Sequence, residues 1–129
     1  MTGVQTCALP IFGLKVLDGK AYVLGRDQIT RLHDLNGDGE ADFYENFNND
    51  CLVSGGGHSY ATSLETDSRG NFYYSKCSEN TAHGGTLIRV SADGGKLDVF
   101  ATGFRNPNGL GIGPGDVIKI GRASCRERV

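Results

Sequence analysis

Residues Asp34 to Glu45 read Asp-Leu-Asn-Gly-Asp-Gly-Glu-Ala-Asp-Phe-Tyr-Glu and fit the pattern D-x-[DN]-x-[DN]-G-x5-E in full. Asp34, Asn36 and Asp38 place oxygens at alternate positions of a tight loop, and Gly39 permits its sharp turn. Glu40 would offer a backbone carbonyl, Asp42 would act directly or through water, and Glu45 would bind through both oxygens. Calcium takes about 6–8 such oxygens at about 2.3–2.6 Å. The flanking residues read as β-strands rather than helices, so an acidic hairpin exposed to solvent is the competing reading.

Two further groups have the residue types for chemistry. Ser54-Gly55-Gly56-Gly57-His58-Ser59 carries one His on a glycine-rich connection ahead of a strand. Imidazole titrates near neutral pH and suits a general base; a structural or solvated His is the alternative. Gly103-Phe104-Arg105-Asn106-Pro107-Asn108-Gly109-Leu110 carries Arg105, a planar fork of donors for carboxylates, beside the donor–acceptor Asn106. Pro107 and Gly109 are expected to fix a turn there. The alternative is an Arg that pairs with a neighbouring element. His33 and His83 have no partner at ligand spacing. The chain has no phosphate loop in a βα context and no nucleophile elbow.

The elements that must position these residues are short β runs split by Gly and Asp turns. Leu14–Leu17 and Ala21–Leu24 flank Asp18-Gly19, a strong hairpin signal. Gln28–His33 and Asp42–Phe47 follow, joined across Asn36-Gly37-Asp38-Gly39. The pattern then repeats as Ser63–Thr66, Asn71–Ser75, Thr86–Val90 and Leu97–Ala101. Tyr22 corresponds to Tyr73, Arg31 to Arg89 and Asp38-Gly39 to Asp93-Gly94, and Gly109-Leu110-Gly111-Ile112 opens a third copy. Four strands at a period near 50 residues is the signature of a β-propeller blade. The expected fold is all-β, a partial propeller of about two four-stranded blades from a ring of six. A β-sandwich with a coincidental echo is the rival. Two blades and a stub cannot close a ring, so any function belongs to a longer parent and the fragment itself is expected to be inactive.

The ends differ in character from the middle. Residues 1–11, Met-Thr-Gly-Val-Gln-Thr-Cys-Ala-Leu-Pro-Ile, and residues 120–129, Ile-Gly-Arg-Ala-Ser-Cys-Arg-Glu-Arg-Val, resemble translated sequencing adapter. Ala8-Leu9-Pro10-Ile11 can be written GCT CTT CCG ATC. Its reverse complement, read one base in, encodes Ile120-Gly121-Arg122-Ala123. The expectation is an adapter-derived segment at 1–11, a propeller fragment at 12–119 and a second adapter-derived segment at 120–129, with both ends set aside for fold reasoning. Without Arg122, Arg126 and Arg128 the 13 basic residues become 10, and without Glu127 the 15 acidic residues become 14, moving the net charge from −2 to −4. This mild acidity argues against a nucleic-acid partner. No apolar run approaches the roughly 20 residues of a membrane span. Cys51 and Cys77 remain, either as one bridge in an oxidising compartment or as two buried thiols.

Three features occur in one order: His58 before a strand, Asp67-Ser68-Arg69-Gly70-Asn71-Phe72-Tyr73-Tyr74 with Gly85-Thr86-Leu87-Ile88-Arg89-Val90, and Gly103-Phe104-Arg105-Asn106-Pro107-Asn108-Gly109-Leu110. This order resembles the six-bladed propeller of soluble quinoprotein sugar dehydrogenases and their sorbosone-dehydrogenase-like relatives. It looks closest to bacterial proteins, common in planctomycetes, that join such a propeller to a c-type cytochrome region. The resemblance implies a periplasmic or secreted enzyme that oxidises a sugar or alcohol. His58 would be the base on the substrate hydroxyl, and hydride would pass to pyrroloquinoline quinone (PQQ). Arg105 and Asn106 would contact that cofactor, with calcium helping to polarise it. Electrons would leave to an electron-accepting cytochrome, a haem c in a region outside this fragment. His58 here follows three glycines, where the family usually has an acidic or amide-rich stretch. The alternative function is a non-catalytic propeller that binds carbohydrate or protein and holds calcium structurally.

Overall fold

The computed structural model describes residues 11–52, 60–77 and 83–123. The chain is all-β, and no α-helix occurs among the described residues. Sheet 1 contains β1 (Gly13–Leu17), β2 (Lys20–Leu24), β3 (Ile29–His33) and β4 (Phe43–Asn48), antiparallel in the order β1-β2-β3-β4. Sheet 2 repeats this with β5 (Ala61–Thr66), β6 (Phe72–Lys76), β7 (Thr86–Val90) and β8 (Leu97–Thr102) in the order β5-β6-β7-β8. A hairpin of β9 (Pro107–Gly113) and β10 (Val117–Ala123) follows, turned by a 3-10 segment at Pro114–Asp116. The strands read from the sequence appear in place, and the start of the third copy at Gly109–Ile112 lies inside β9.

Local chemistry sets the turns. Asp18 and Gly19 both take positive φ, 51° and 76°, the left-handed pair that matches the twist of a two-residue hairpin. Pro107 departs from expectation. It is the first residue of β9 and buried, while the chain bends at Gly103–Asn106, where Gly103 takes φ 97°. Proline suits the first position of a strand, and it pushes the preceding residue toward extended backbone.

Two apolar layers bind three units. Tyr22, Leu24, Ile29 and Phe47 of sheet 1 meet Leu64, Phe72, Tyr74, Ile88 and Val90 of sheet 2. Tyr73 and Leu87, on the other face of sheet 2, meet Leu110, Ile112, Ile118 and Ile120 of the hairpin. Sheet 2 is therefore covered on both faces, and all five residues of β6 are buried. The first strands of the units adjoin: β5 packs on β1 on one side and on β9 on the other. Gly13 makes the first approach possible, because a Cβ there would stand 2.9 Å from Leu64 Cβ. Thr62 Oγ1 donates to Pro107 O at 3.0 Å across the second.

β10 runs through Ile120, where the sequence changes character. Ladder pairing uses backbone groups that any sequence supplies, and Ile120 adds an apolar side chain to the second layer. Cys51 and Cys77 are two buried free thiols and do not form the bridge allowed for them. Burial pushes the Cys51 thiol up from its ordinary value.

Candidate functional site

A row of polar side chains crosses both sheets in the same register. Lys15 stands opposite Tyr22, Tyr22 opposite Arg31 and Arg31 opposite Glu45. In sheet 2 Glu65 stands opposite Tyr73, Tyr73 opposite Arg89 and Arg89 opposite Asp98. Both Arg residues pair with the acid of the last strand: Arg31 donates to Glu45 at 2.6 Å and Arg89 to Asp98 at 3.2 Å. Each also lies over a ring of that strand, Arg31 at 5.6 Å from Phe47 and Arg89 at 5.5 Å from Phe100. Lys15 Nζ meets Glu65 at 2.6 Å and joins the two rows. The correspondence of Tyr22 with Tyr73 and of Arg31 with Arg89 is thus physical as well as textual.

This row takes Glu45 out of the acidic loop. Its Oε1 accepts from Arg31 and lies 2.6 Å from His33 Nε2. Hydrogen bonds from His33 and then from Arg31 hold its carboxyl below the ordinary value. His33 therefore has a partner that its sequence spacing did not reveal. Glu45 reaches it because β3 and β4 set His33 opposite Phe43, two residues away along the same face.

The loop itself is ordered by its own carboxylates. Asp34 accepts from the backbone N–H groups of Gly37, Asp38 and Gly39, with the shortest contacts at 2.7 and 2.8 Å. Asn36 Oδ1 accepts from Asp38 N, Asp38 Oδ1 from Glu40 N, and Asp42 Oδ2 from Leu35 N and Asn36 N. The Gly39 N–H above all keeps the Asp34 carboxyl below its usual range. Asp34, Asn36, Asp38 and Asp42 remain exposed or nearly so, with oxygen ligands of the hard type that calcium prefers. Among the described residues no three His, Cys, Asp or Glu side chains converge as a metal set.

Arg105 and Asn106 lie exposed on the connection from β8 to β9, and neither makes a side-chain hydrogen bond among the described residues. Phe104 N donates to Gly85 O at 3.1 Å and Phe104 packs into the second apolar layer, which fixes where Arg105 emerges. His58 lies outside the described residues. In the chain it falls between β4 and β5. Arg105 and Asn106 occupy the exit end of sheet 2. The acidic loop lies at the opposite end of sheet 1, across the five residues of β3, about 16 Å.

At the entry and exit end a further residue was not foreseen. Lys76 closes β6 and is fully buried, with Nζ donating to Arg26 O at 3.0 Å. Burial holds this ammonium below its ordinary value, and it drives the neighbouring Tyr74 hydroxyl well above its own. A lone Lys after an aromatic run carries no sequence signal for such burial.

Comparison of the chain with family models, with characterised proteins and with solved structures finds no match. No helix among the described residues is long and apolar enough to cross a membrane.

Proposed function

We propose that this chain is part of a β-propeller from a soluble quinoprotein-like dehydrogenase that oxidises a sugar or alcohol and passes the electrons to a haem c. The observation that carries the propeller reading is the repeated four-stranded sheet, with its Lys/Glu–Tyr–Arg–acid row in one register and with successive first strands side by side. Radial repetition of such sheets is how propellers are built. The enzymatic reading rests on the sequence resemblance at His58 and at Gly103–Leu110. The exposed, uncommitted donors of Arg105 and Asn106 at an inter-sheet connection suit contact with the carboxylates of PQQ. PQQ, when bound, would supply the hydride acceptor. His58 would take the proton of the substrate hydroxyl. A periplasmic or secreted location follows from the same resemblance.

Calcium at Asp34, Asn36, Asp38, Glu40 and Asp42 would be structural, because that loop and Arg105 lie at opposite ends of the strands. A non-catalytic propeller with this loop as a structural calcium site is the second reading, and the exposed oxygen-bearing side chains of the loop favour it.

The test uses the intact reading frame that contains this sequence, expressed and supplied with PQQ and calcium. Dye reduction with a panel of aldoses and alcohols is expected, and it should fall at least a hundredfold in His58→Ala. Absence of quinone-dependent reduction, with carbohydrate binding retained in Arg105→Ala, would favour the binding module instead.

A further inference from the structure

We propose that Asn36-Gly37 is a site of spontaneous covalent modification: the folded loop promotes attack of the Gly37 backbone nitrogen on the Asn36 side-chain amide, which converts Asn36 to an aspartyl or isoaspartyl residue. The chain has two Asn-Gly steps, Asn36-Gly37 and Asn108-Gly109. Glycine suits this chemistry because it has no Cβ to crowd the attacking nitrogen. At Gly37 φ is 77°, and the space that a Cβ would fill is open. Asn36 and Gly37 are both exposed, on the connection between β3 and β4. Asn108 instead lies within β9, opposite Arg122 of β10, where the ladder holds the backbone extended.

Two hydrogen bonds of the loop supply what the attack needs. Gly37 N donates to Asp34 Oδ1 at 2.7 Å, so a carboxylate faces the proton that the nitrogen must lose. Asp38 N donates to Asn36 Oδ1 at 3.1 Å, so a backbone N–H faces the oxygen on which negative charge develops as Cγ becomes tetrahedral. The same bond folds the Asn36 side chain back along the Gly37 peptide. Gly37 N then bonds to Asn36 Cγ, the Cγ–Nδ2 bond breaks, and ammonia leaves with the displaced proton. The cyclic imide takes up water at one carbonyl or the other and opens to the aspartyl or the isoaspartyl product. One water is consumed, one ammonia is released, and no oxidant or reductant takes part. The aspartyl product adds a carboxylate beside Asp34 and Asp38. The isoaspartyl product inserts a methylene into the main chain just ahead of Gly37, Asp38 and Gly39, whose N–H groups Asp34 gathers, and so unseats the loop. The inference rests on the loop alone and on neither the quinoprotein nor the calcium reading.

The test incubates the full 129-residue chain at neutral pH with a chelator, with and without urea, and follows each Asn by peptide mass mapping. Isoaspartate-specific methyl transfer to the peptide that contains position 36 gives a second readout. In the folded chain Asn36 should convert about tenfold faster than Asn108, and about threefold or more faster than it does itself in urea. Asp34→Ala should bring the folded rate down to the rate in urea. The comparison with urea uses the unmutated chain, so it decides the matter even where Asp34→Ala disorders the loop. Conversion of Asn36 that is slower in the folded chain than in urea overturns the proposal. So does conversion no faster than that of Asn108, or an Asp34→Ala rate equal to or above that of the unmutated chain.

Discussion

At the scale of single residues, charge is spent on holding the sheets together and on shaping turns. Glu45, Asp34, Asp67 and Asp93 all have carboxyls held below their ordinary values. At Asp67 burial opposes ionisation, but hydrogen bonds from Asn71, Tyr73 and Arg69 outweigh it. A carboxyl whose folded pKa is depressed contributes stability above its unfolded value, and loses it as pH falls through the folded value. Thermal stability should therefore be level near neutrality and fall below about pH 4, the ordinary carboxylate range. Asp67→Asn should flatten that fall. Unchanged melting temperatures down to pH 2 would contradict the assignment.

The two Arg residues differ in cover, and this separates their effects. Arg31→Gln should cost roughly 1–2 kcal/mol, from an ion pair of about 1 kcal/mol or less and loss of its contact with Tyr22 and Phe47. Arg89→Gln should cost less, because Phe100 beneath it is open to water. Equal losses in urea unfolding would show that the covered ring makes no difference. For calcium, titration calorimetry should detect binding that Asp34→Asn and Asp38→Asn abolish. Glu45→Gln should change it by less than threefold, since Arg31 and His33 already hold that side chain.

At the scale of elements, the strands were legible because apolar alternation and Asp-Gly turns are local signals. The matched Tyr and Arg positions foretold the register shared by the two sheets. What could not be read was geometry that depends on pairing. His33 and Glu45 are twelve residues apart and meet only because β3 and β4 run antiparallel. The same pairing turns Glu45 away from the loop to which its sequence pattern assigned it. Lys76 is buried because sheet 2 has no solvent face at β6, which depends on both neighbouring units. Glycines at close approaches give a test. Gly19 and Gly94 both take positive φ, but a Cβ on Gly19 meets open space and one on Gly94 meets Phe47. Gly19→Ala should cost about 1–2 kcal/mol for backbone strain. Gly94→Ala should cost roughly 1–3 kcal/mol more for crowding. Equal costs would mean that the turn does not seat on sheet 1 as described.

At the scale of the whole molecule, each unit buries one face under its predecessor and offers the other to its successor, and the first strands stand side by side. Leu14 and Val16 are 61% and 63% exposed on the face of sheet 1 that corresponds to the face sheet 2 turns toward sheet 1, while Val23 and Thr30 on that same face are buried. A longer array of the same unit would pack further sheets against the outer units. The propeller, and with it the functional proposal, depends on that continuation.

The measurement that tests this most directly is to amplify the locus from the source DNA and sequence through both junctions. The account predicts that the frame runs on in both directions, through further units near 50 residues long with Tyr in the second strand, Arg in the third and an acid in the fourth. A genome that instead encodes the observed residues 1–11 and 120–129 in place, bounded by a start and a stop, would contradict it.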